Sequence, residues 1–396
     1  MQIDNAEAER LVRAGAEALQ RGDARGARGF FEKVTATGRS NAQIWLLLAH
    51  SCRLTGDSAA EEKALDSLLA MEPRSLRGLI MKGDCRGRAG DARGATRFYK
   101  AARTVAAGAG QLPPDLVAEM QRIEGELARA DAAYRAHLEA RLAEKGVGPE
   151  ARSAAFQESL EILSGEKQIY VQQPSLYYFP RLPHIQFYER EAFAWAEALE
   201  AATDDIRREI LAVAAEEGAF RPYLVSDPDT PRTDFHGLSD NPDWSSLYLW
   251  ENGAPVEANR PRFGATFAAL EQVPLPRIGV RAPVVMFSRL RPGARIPPHS
   301  GSMNARLICH LPLVVPPGCG FRVGNEVREW EEGKLLVFDD TIEHEAWNEG
   351  TSDRIVLIFD IWRPELEEAE RRAVAAVFEA VDEYGAGAGG GTAGGA

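Results

Sequence analysis

The sequence predicts a multidomain chain: an all-α helical solenoid in front, then a double-stranded β-helix (a cupin-like jelly roll) with flanking helices. Three observations carry this. The dipeptide Gly-Asp recurs at Gly22, Gly56 and Gly90, an interval of 34 residues each time. After Pro274, short apolar runs separated by Gly, Pro and Asn replace helical periodicity. Among those runs stand two histidines, His299 and His344, with Arg354 ten residues after the second.

The 396 residues suffice for two or three domains. No apolar run reaches the roughly 20 residues of a membrane helix. The acidic start, Met1 to Glu9, lacks the basic and then apolar pattern of a secretion signal. Cys52, Cys85, Cys309 and Cys319 show no CxxC spacing, which argues against disulfides or a thiolate zinc site and fits a reducing cytoplasm. The net charge is -13, yet residues 1–107 carry 18 basic and 13 acidic side chains, leaving -18 for the remainder. So acidic a body argues against nucleic acid as the main partner.

A fixed 34-residue period points to stacked helix–turn–helix units. Each in-register Gly ends a first helix, because glycine enters the left-handed conformation at little cost. Each is followed by an amphipathic second helix: Ala27, Phe30, Phe31 and Val34 in the first unit, Ala95, Phe98, Tyr99 and Ala102 in the third. Gly83-Asp84 is an out-of-register copy. The pattern resembles the tetratricopeptide repeat over residues 6–106. In the second unit Trp45, Leu48, Ala49, Leu65, Leu68 and Pro73 fit that repeat, while Glu61 departs from its usual small residue. Such a solenoid either docks a peptide or protein, including a substrate, or only packs on its neighbour.

Residues 107–167 read as a linker with helices at 115–145 and 150–165. The second domain is expected over 168–366, opening on Tyr177-Tyr178-Phe179-Pro180 and one long helix over 190–218. Strands are expected at 284–289, 306–315, 321–323, 327–330, 335–338 and 355–362, a series suited to a jelly roll. An acidic helix should follow, ending at Tyr384. Residues 385–396, nearly all Gly and Ala, are expected to be a disordered tail.

His299 (in Pro-Pro-His-Ser-Gly) and His344 (in Ile-Glu-His-Glu) sit in loop-like settings. Imidazole nitrogens suit Fe(II), whose oxygenases usually add one carboxylate. The place where His-x-Asp would put that carboxylate is Gly301. Asp339 and Asp340 are open between ligand, a role behind a metal-bound water, and plain turn chemistry. Arg354 enters an apolar strand, where its guanidinium needs an anion: a ligand carboxylate, or Asp360. Ser288 is placed to donate to the same carboxylate. Arg306 and His310, four apart on one strand, share a face that looks inward.

From Tyr177 to Leu366 the chain resembles the aspartyl/asparaginyl β-hydroxylase family. The matching elements are Tyr177-Tyr178-Phe179-Pro180, Phe287-Ser288, Pro298-His299-Ser300-Gly301, Arg306-Leu307, His310-Leu311, Trp330-Glu331-Glu332-Gly333-Lys334, Phe338-Asp339-Asp340, Glu343-His344-Glu345, Arg354 and Asp360-x-Trp362-x-Pro364. The resemblance implies an Fe(II)- and 2-oxoglutarate-dependent dioxygenase that uses O2 and holds iron with two histidines and no carboxylate. It implies His299 and His344 as ligands and Asp340 behind a bound water. Ser288 and Arg354 would take the distal carboxylate of 2-oxoglutarate, with Arg306 and His310 facing the cosubstrate site and His310 near the metal-binding end. Ile308 stands where members often carry a second arginine, so contacts to the proximal carboxylate or the choice of substrate should differ. The implied activity is hydroxylation of an aspartyl- or asparaginyl-type carbon in a peptide. The alternatives are the same chemistry on a small molecule (a free amino acid, a lipid acyl chain, a natural-product intermediate), or a repeat scaffold with an inactive jelly roll.

Overall fold

The computed structural model describes residues 4–226 and 235–387. It forms two compact units divided between Glu166 and Lys167. The expected tail at 388–396 lies outside the described residues.

The first unit is a run of helices: α1 Asn5–Gln20, α2 Ala24–Thr35, α3 Ala42–Leu54, α4 Ser58–Met71, α5 Leu76–Arg88, α6 Ala92–Ala107, α7 Pro114–Glu144 and α8 Ala154–Ser164. Each Gly-Asp does two jobs. Gly22, Gly56 and Gly90 all have φ between 77° and 80°, ending α1, α3 and α5. Asp23, Asp57 and Asp91 then cap α2, α4 and α6, their carboxylates accepting from the backbone of Gly26, Ala60 and Gly94. The out-of-register Gly83 lies inside α5, where an added Cβ would fall 2.4 Å from the Tyr99 ring. Glu61, the residue that departs from the repeat, is buried and paired with Arg88 at 2.6 Å.

The second unit holds β1 Phe187–Tyr188, α9 Ala196–Ala201, α10 Thr203–Ala214, β2 Arg221–Pro222, β3 Trp244–Glu251, β4 Ala254–Pro255 and α11 Gly264–Leu270. After these come β5 Val285–Leu290, β6 Arg295–His299, β7 Arg306–Val314, β8 Cys319–Val323, β9 Glu326–Arg328, β10 Leu336–Phe338, β11 His344–Asn348, β12 Arg354–Trp362 and α12 Glu368–Gly387. An eight-stranded sheet runs β1-β10-β7-β12-β5-β3-β2, with β4 on β3; a four-stranded sheet runs β6-β11-β8-β9. Period-two alternation sorts the large sheet. Leu307, Cys309, Leu311, Leu357, Phe359, Val285 and Phe287 pack with Ile206, Ile210 and Phe267 from α10 and α11. The other face packs against the small sheet, joining Trp244, Leu290 and Phe338 to Ile296, Phe321, Val323 and Ala346. That space between the sheets contains the site.

Four expectations need correction. The single helix over 190–218 is broken into a short 3-10 turn, α9 and α10. The Thr203 hydroxyl donates to Glu200 O at 2.6 Å, and Asp204 and Asp205 begin a new helix at its positive end. The expected strand at 327–330 is a short one ending at Arg328, so Trp330 lies beyond it. Helix α12 runs through Gly387, into the expected tail. The two histidines are strand residues, not loop residues: His299 ends β6 and His344 begins β11. The prolines hid β6, yet it is an edge strand pairing only with β11, where proline's missing N–H is tolerated.

Candidate functional site

Antiparallel pairing of β6 with β11 sets His299 directly opposite His344. The ring centroids are 4.1 Å apart. His299 Nδ1 lies 2.8 Å from Pro297 O, and His344 Nδ1 lies 3.1 Å from Ile342 O. A carbonyl only accepts, so each Nδ1 carries the hydrogen and each Nε2 keeps its lone pair. Burial pushes both imidazole pKa values down, His344 to about 3 with the His299 charge adding to the effect. Both rings are therefore neutral near pH 7, the form a metal ligand requires.

Linkage makes the metal-free protein acid-sensitive. His344 has a folded pKa below its unfolded one, so the unfolded state binds the proton first. Stability present above about pH 6.5 is then lost as pH falls toward the folded value. Urea unfolding with a chelator present should lose on the order of 2 kcal/mol between about pH 6.5 and 5. A flat profile over that window would contradict the buried, neutral ring.

Asp340 takes up the room over Gly301. Gly301 N donates to Asp340 O at 2.7 Å, and a Cβ added at Gly301 would lie 2.0 Å from Asp340 Oδ2. Burial raises the Asp340 pKa to about 7 against the opposing Arg306 charge, and its Oδ1 is buried with no partner among the described residues. Asp339 faces elsewhere, bonded to Arg363, Gln172 and Thr341. Among the described residues no group of three or more His, Cys, Asp or Glu side chains is placed to hold a metal ion. Gly301→Asp should therefore not restore a carboxylate ligand. It should displace Asp340 and lower the unfolding temperature without raising metal affinity, which calorimetry on the variant will read.

Arg354 is about 1% exposed, and its Nε and Nη1 have no partner among the described residues. It does not bond Asp360, whose Oδ2 is held by Arg306 Nη1 at 2.9 Å. Its guanidinium lies over the Trp330 ring at 4.8 Å, and the His310 ring is 6.1 Å from the same indole. Ser288 Oγ, His310 Nδ1 and Trp330 Nε1 are likewise buried and, among the described residues, unpartnered. An unsatisfied buried polar group costs about 1–3 kcal/mol, more if charged, so the cluster is built to meet something. Burial lowers the Arg354 pKa to about 10 and pushes His310 well down, with the Arg354 charge adding to the latter.

Arg306, Ile308 and His310 alternate onto the face of β7 turned toward the small sheet. Arg306 Nε is another buried donor without a partner among the described residues, while Ile308 packs in the apolar contacts between the sheets. Sequence reasoning did not single out Phe235 and Trp244, whose rings lie 5.7 and 6.2 Å from His299, or Tyr223, stacked on Trp244 at 4.1 Å. For Trp244 the aromatic alternation of β3 was the available signal; Phe235 and Tyr223 lie outside the strands and carried none.

A family model described as aspartyl/asparaginyl beta-hydroxylase matches residues 200–364. The aspartyl/asparaginyl beta-hydroxylase of Mus musculus is 41% identical over 141 residues, covering 35% of this chain and 19% of that protein. The chain thus spans about a fifth of the length of the mouse and human relatives it matches. The ornithine lipid ester-linked acyl 2-hydroxylase of Rhizobium tropici is 32% identical over 189 residues, 47% of this chain and 63% of that protein. Aspartate beta-hydroxylase domain-containing protein 1 of Mus musculus is 31% identical over 264 residues, 66% of this chain and 69% of that protein. Among solved structures, the Yersinia enterocolitica type III secretion translocator chaperone SycD matches at 15% identity and TM-score 0.30, over 34% of this chain and 89% of that one.

Proposed function

This chain belongs to the aspartyl/asparaginyl β-hydroxylase family, and on that premise we propose that its second unit is an Fe(II)/2-oxoglutarate-dependent dioxygenase. The observation that carries the reading is the cross-strand histidine pair, each Nδ1 on a backbone carbonyl, in the same inter-sheet space as a buried arginine with no anion partner among the described residues.

The donor set fits the two groups. His299 and His344 would hold the iron, two neutral nitrogens suited to that ion. Asp340, too close to Gly301 for a third ligand to grow there, would accept from a metal-bound water. Arg354 and Ser288 would bind the distal carboxylate of 2-oxoglutarate, a charge-assisted pairing in a dry site. His310 and Arg306 would line the same cosubstrate site, His310 toward the metal-binding end. The chemistry a bound ferrous ion supplies with 2-oxoglutarate and O2 is hydroxylation of an unactivated carbon with release of succinate and carbon dioxide. The chain's own residues orient the cosubstrate, exclude water between two packed sheets and keep the imidazoles unprotonated.

The substrate reading is an aspartyl- or asparaginyl-type carbon in a peptide, with the helical repeats as the surface that would present it. Ile308 favours a second reading. An apolar side chain where relatives of this family often have arginine suits a less anionic substrate, such as an acyl chain, on which the named Rhizobium tropici relative acts. Cytoplasmic residence is part of the same proposal. Among the described residues no helix is long and apolar enough to cross a membrane. The test is anaerobic reconstitution with Fe(II), then oxygen-dependent succinate formation with aspartyl peptides, free amino acids and acylated lipids offered in turn. Selective stimulation by one class identifies the substrate; protein that binds neither iron nor 2-oxoglutarate would overturn the reading.

A further inference from the structure

We propose that Asp339 is a positioning residue that sets the geometry of the two histidines through a buried web with Gln172, Asn304 and Arg363. It rests on the reading above that the pair holds a metal.

Asp339 is fully buried, and both carboxylate oxygens are satisfied. Oδ2 accepts from Arg363 Nη1 at 2.7 Å and from Gln172 Nε2 at 2.6 Å. Oδ1 accepts from Thr341 N at 3.0 Å and Thr341 Oγ1 at 2.6 Å. The last two bonds fold residues 339–341 into a tight turn, and Ile342 N closes it on Asp339 O at 3.2 Å. Ile342 O is the acceptor for His344 Nδ1. The carboxylate therefore shapes the backbone that orients His344.

The same web reaches the other histidine. Gln172 Oε1 accepts from Asn304 Nδ2 at 2.9 Å. Along the adjoining strap, Gln173 N donates to Thr341 O at 2.7 Å and Ser175 N donates to Gly301 O at 3.1 Å. One short segment is thus bonded to the loop before His344 and to the loop after His299. Asp339 is the point where that segment, the turn and Arg363 meet.

A buried ion pair is often no better for stability than apolar groups of similar size. A fully satisfied network does define one arrangement. Loss of outer-shell partners at metal sites typically costs 10–100-fold in metal affinity. Asp339 touches no reacting atom, so its effect must appear in metal geometry first.

The experiment uses the full chain, purified metal-free under nitrogen, titrated with Co(II) and followed by visible absorption and thermal unfolding. Gln172→Met keeps the side-chain length and the Asp339–Arg363 pair but removes the bonds that tie the strap to Asp339 and Asn304. Asp339→Asn removes the charge, and Arg363→Lys keeps an ion pair. Expected are a roughly 10–100-fold loss of Co(II) affinity and an altered spectrum for the first two. Arg363→Lys should stay closer to the parent. If Asp339→Asn fails to fold, Gln172→Met decides alone. Parent-like Co(II) affinity and spectrum in Gln172→Met, with only a lower unfolding temperature, would overturn the proposal and leave a packing role. Failure of the parent protein to bind Co(II) would overturn the metal reading itself, and this inference with it.

Discussion

His344→Ala is expected to abolish oxygen-dependent conversion of 2-oxoglutarate to succinate and to remove high-affinity iron binding. In the proposed site two imidazoles would hold the metal, and no third side chain of suitable chemistry is placed with them among the described residues. Loss of one leaves a monodentate site. The effect should exceed the roughly 10–100-fold typical of an outer-shell loss. His344 and His299 are register partners, so the shortened side chain cannot be replaced by a neighbour one step along the strand: side chains there alternate faces. The same substitution should reduce the acid sensitivity of the metal-free protein, because the ring held at about pKa 3 by burial is gone while the buried His299 and His310 remain. Iron titration and succinate assay on one preparation check both. Retained turnover would remove His344 from the ligand set.

Arg354→Met should produce two opposite changes. Affinity for 2-oxoglutarate should fall by about 2–5 kcal/mol, roughly 30- to several-thousand-fold in Kd, because the charge proposed to meet the distal carboxylate is lost. Without ligand, the variant should be more stable than the parent. Arg354 is buried with two unpartnered nitrogens, and burial pulls its pKa down to about 10. A depressed pKa on a base means the charged form is penalised in the folded state throughout the neutral range, with relief only above about pH 10. An apolar side chain of similar length removes that penalty, by analogy with buried charges replaced by apolar groups for a gain of about 1–4 kcal/mol. Calorimetric titration with 2-oxoglutarate and urea unfolding without it read the two effects. A structural arginine would instead destabilise when removed, so a less stable variant with parent-like affinity would sink the assignment.

The helical repeats were legible because their determinants are local. A glycine with positive φ and the aspartate after it end one helix and cap the next within a few residues. The series of late strands was legible too, since period-two burial is written along each strand. Strand β6 was hidden by Pro297 and Pro298, whose tolerance depends on lying at a sheet edge, a fact about neighbours. The break before Thr203 was hidden because one hydroxyl taking one carbonyl decides it. Strand β3 precedes the expected series, which began at 284; its alternating aromatics went unread, and Trp244 gains meaning only from lying beside His299.

At the site, residue type and order along the chain were enough to select His299, His344, Arg354, Ser288, Arg306, His310 and Asp340. Partner choice was not. Asp339 and Asp340 are adjacent and chemically identical; folding buries one in four hydrogen bonds and leaves the other with an unpartnered oxygen against Gly301. Asp360 was a possible partner for Arg354, but the two stand at opposite ends of β12; Arg306 on the neighbouring strand takes the carboxylate, and Arg354 has no anion partner among the described residues. Composition and spacing specify which groups exist and which face of a strand they occupy. Desolvation and hydrogen-bond pairing depend on atoms brought near from 100 or more residues away, as Gln172 is to Asp339, so only the tertiary structure decides which charge is satisfied and which is left to bind.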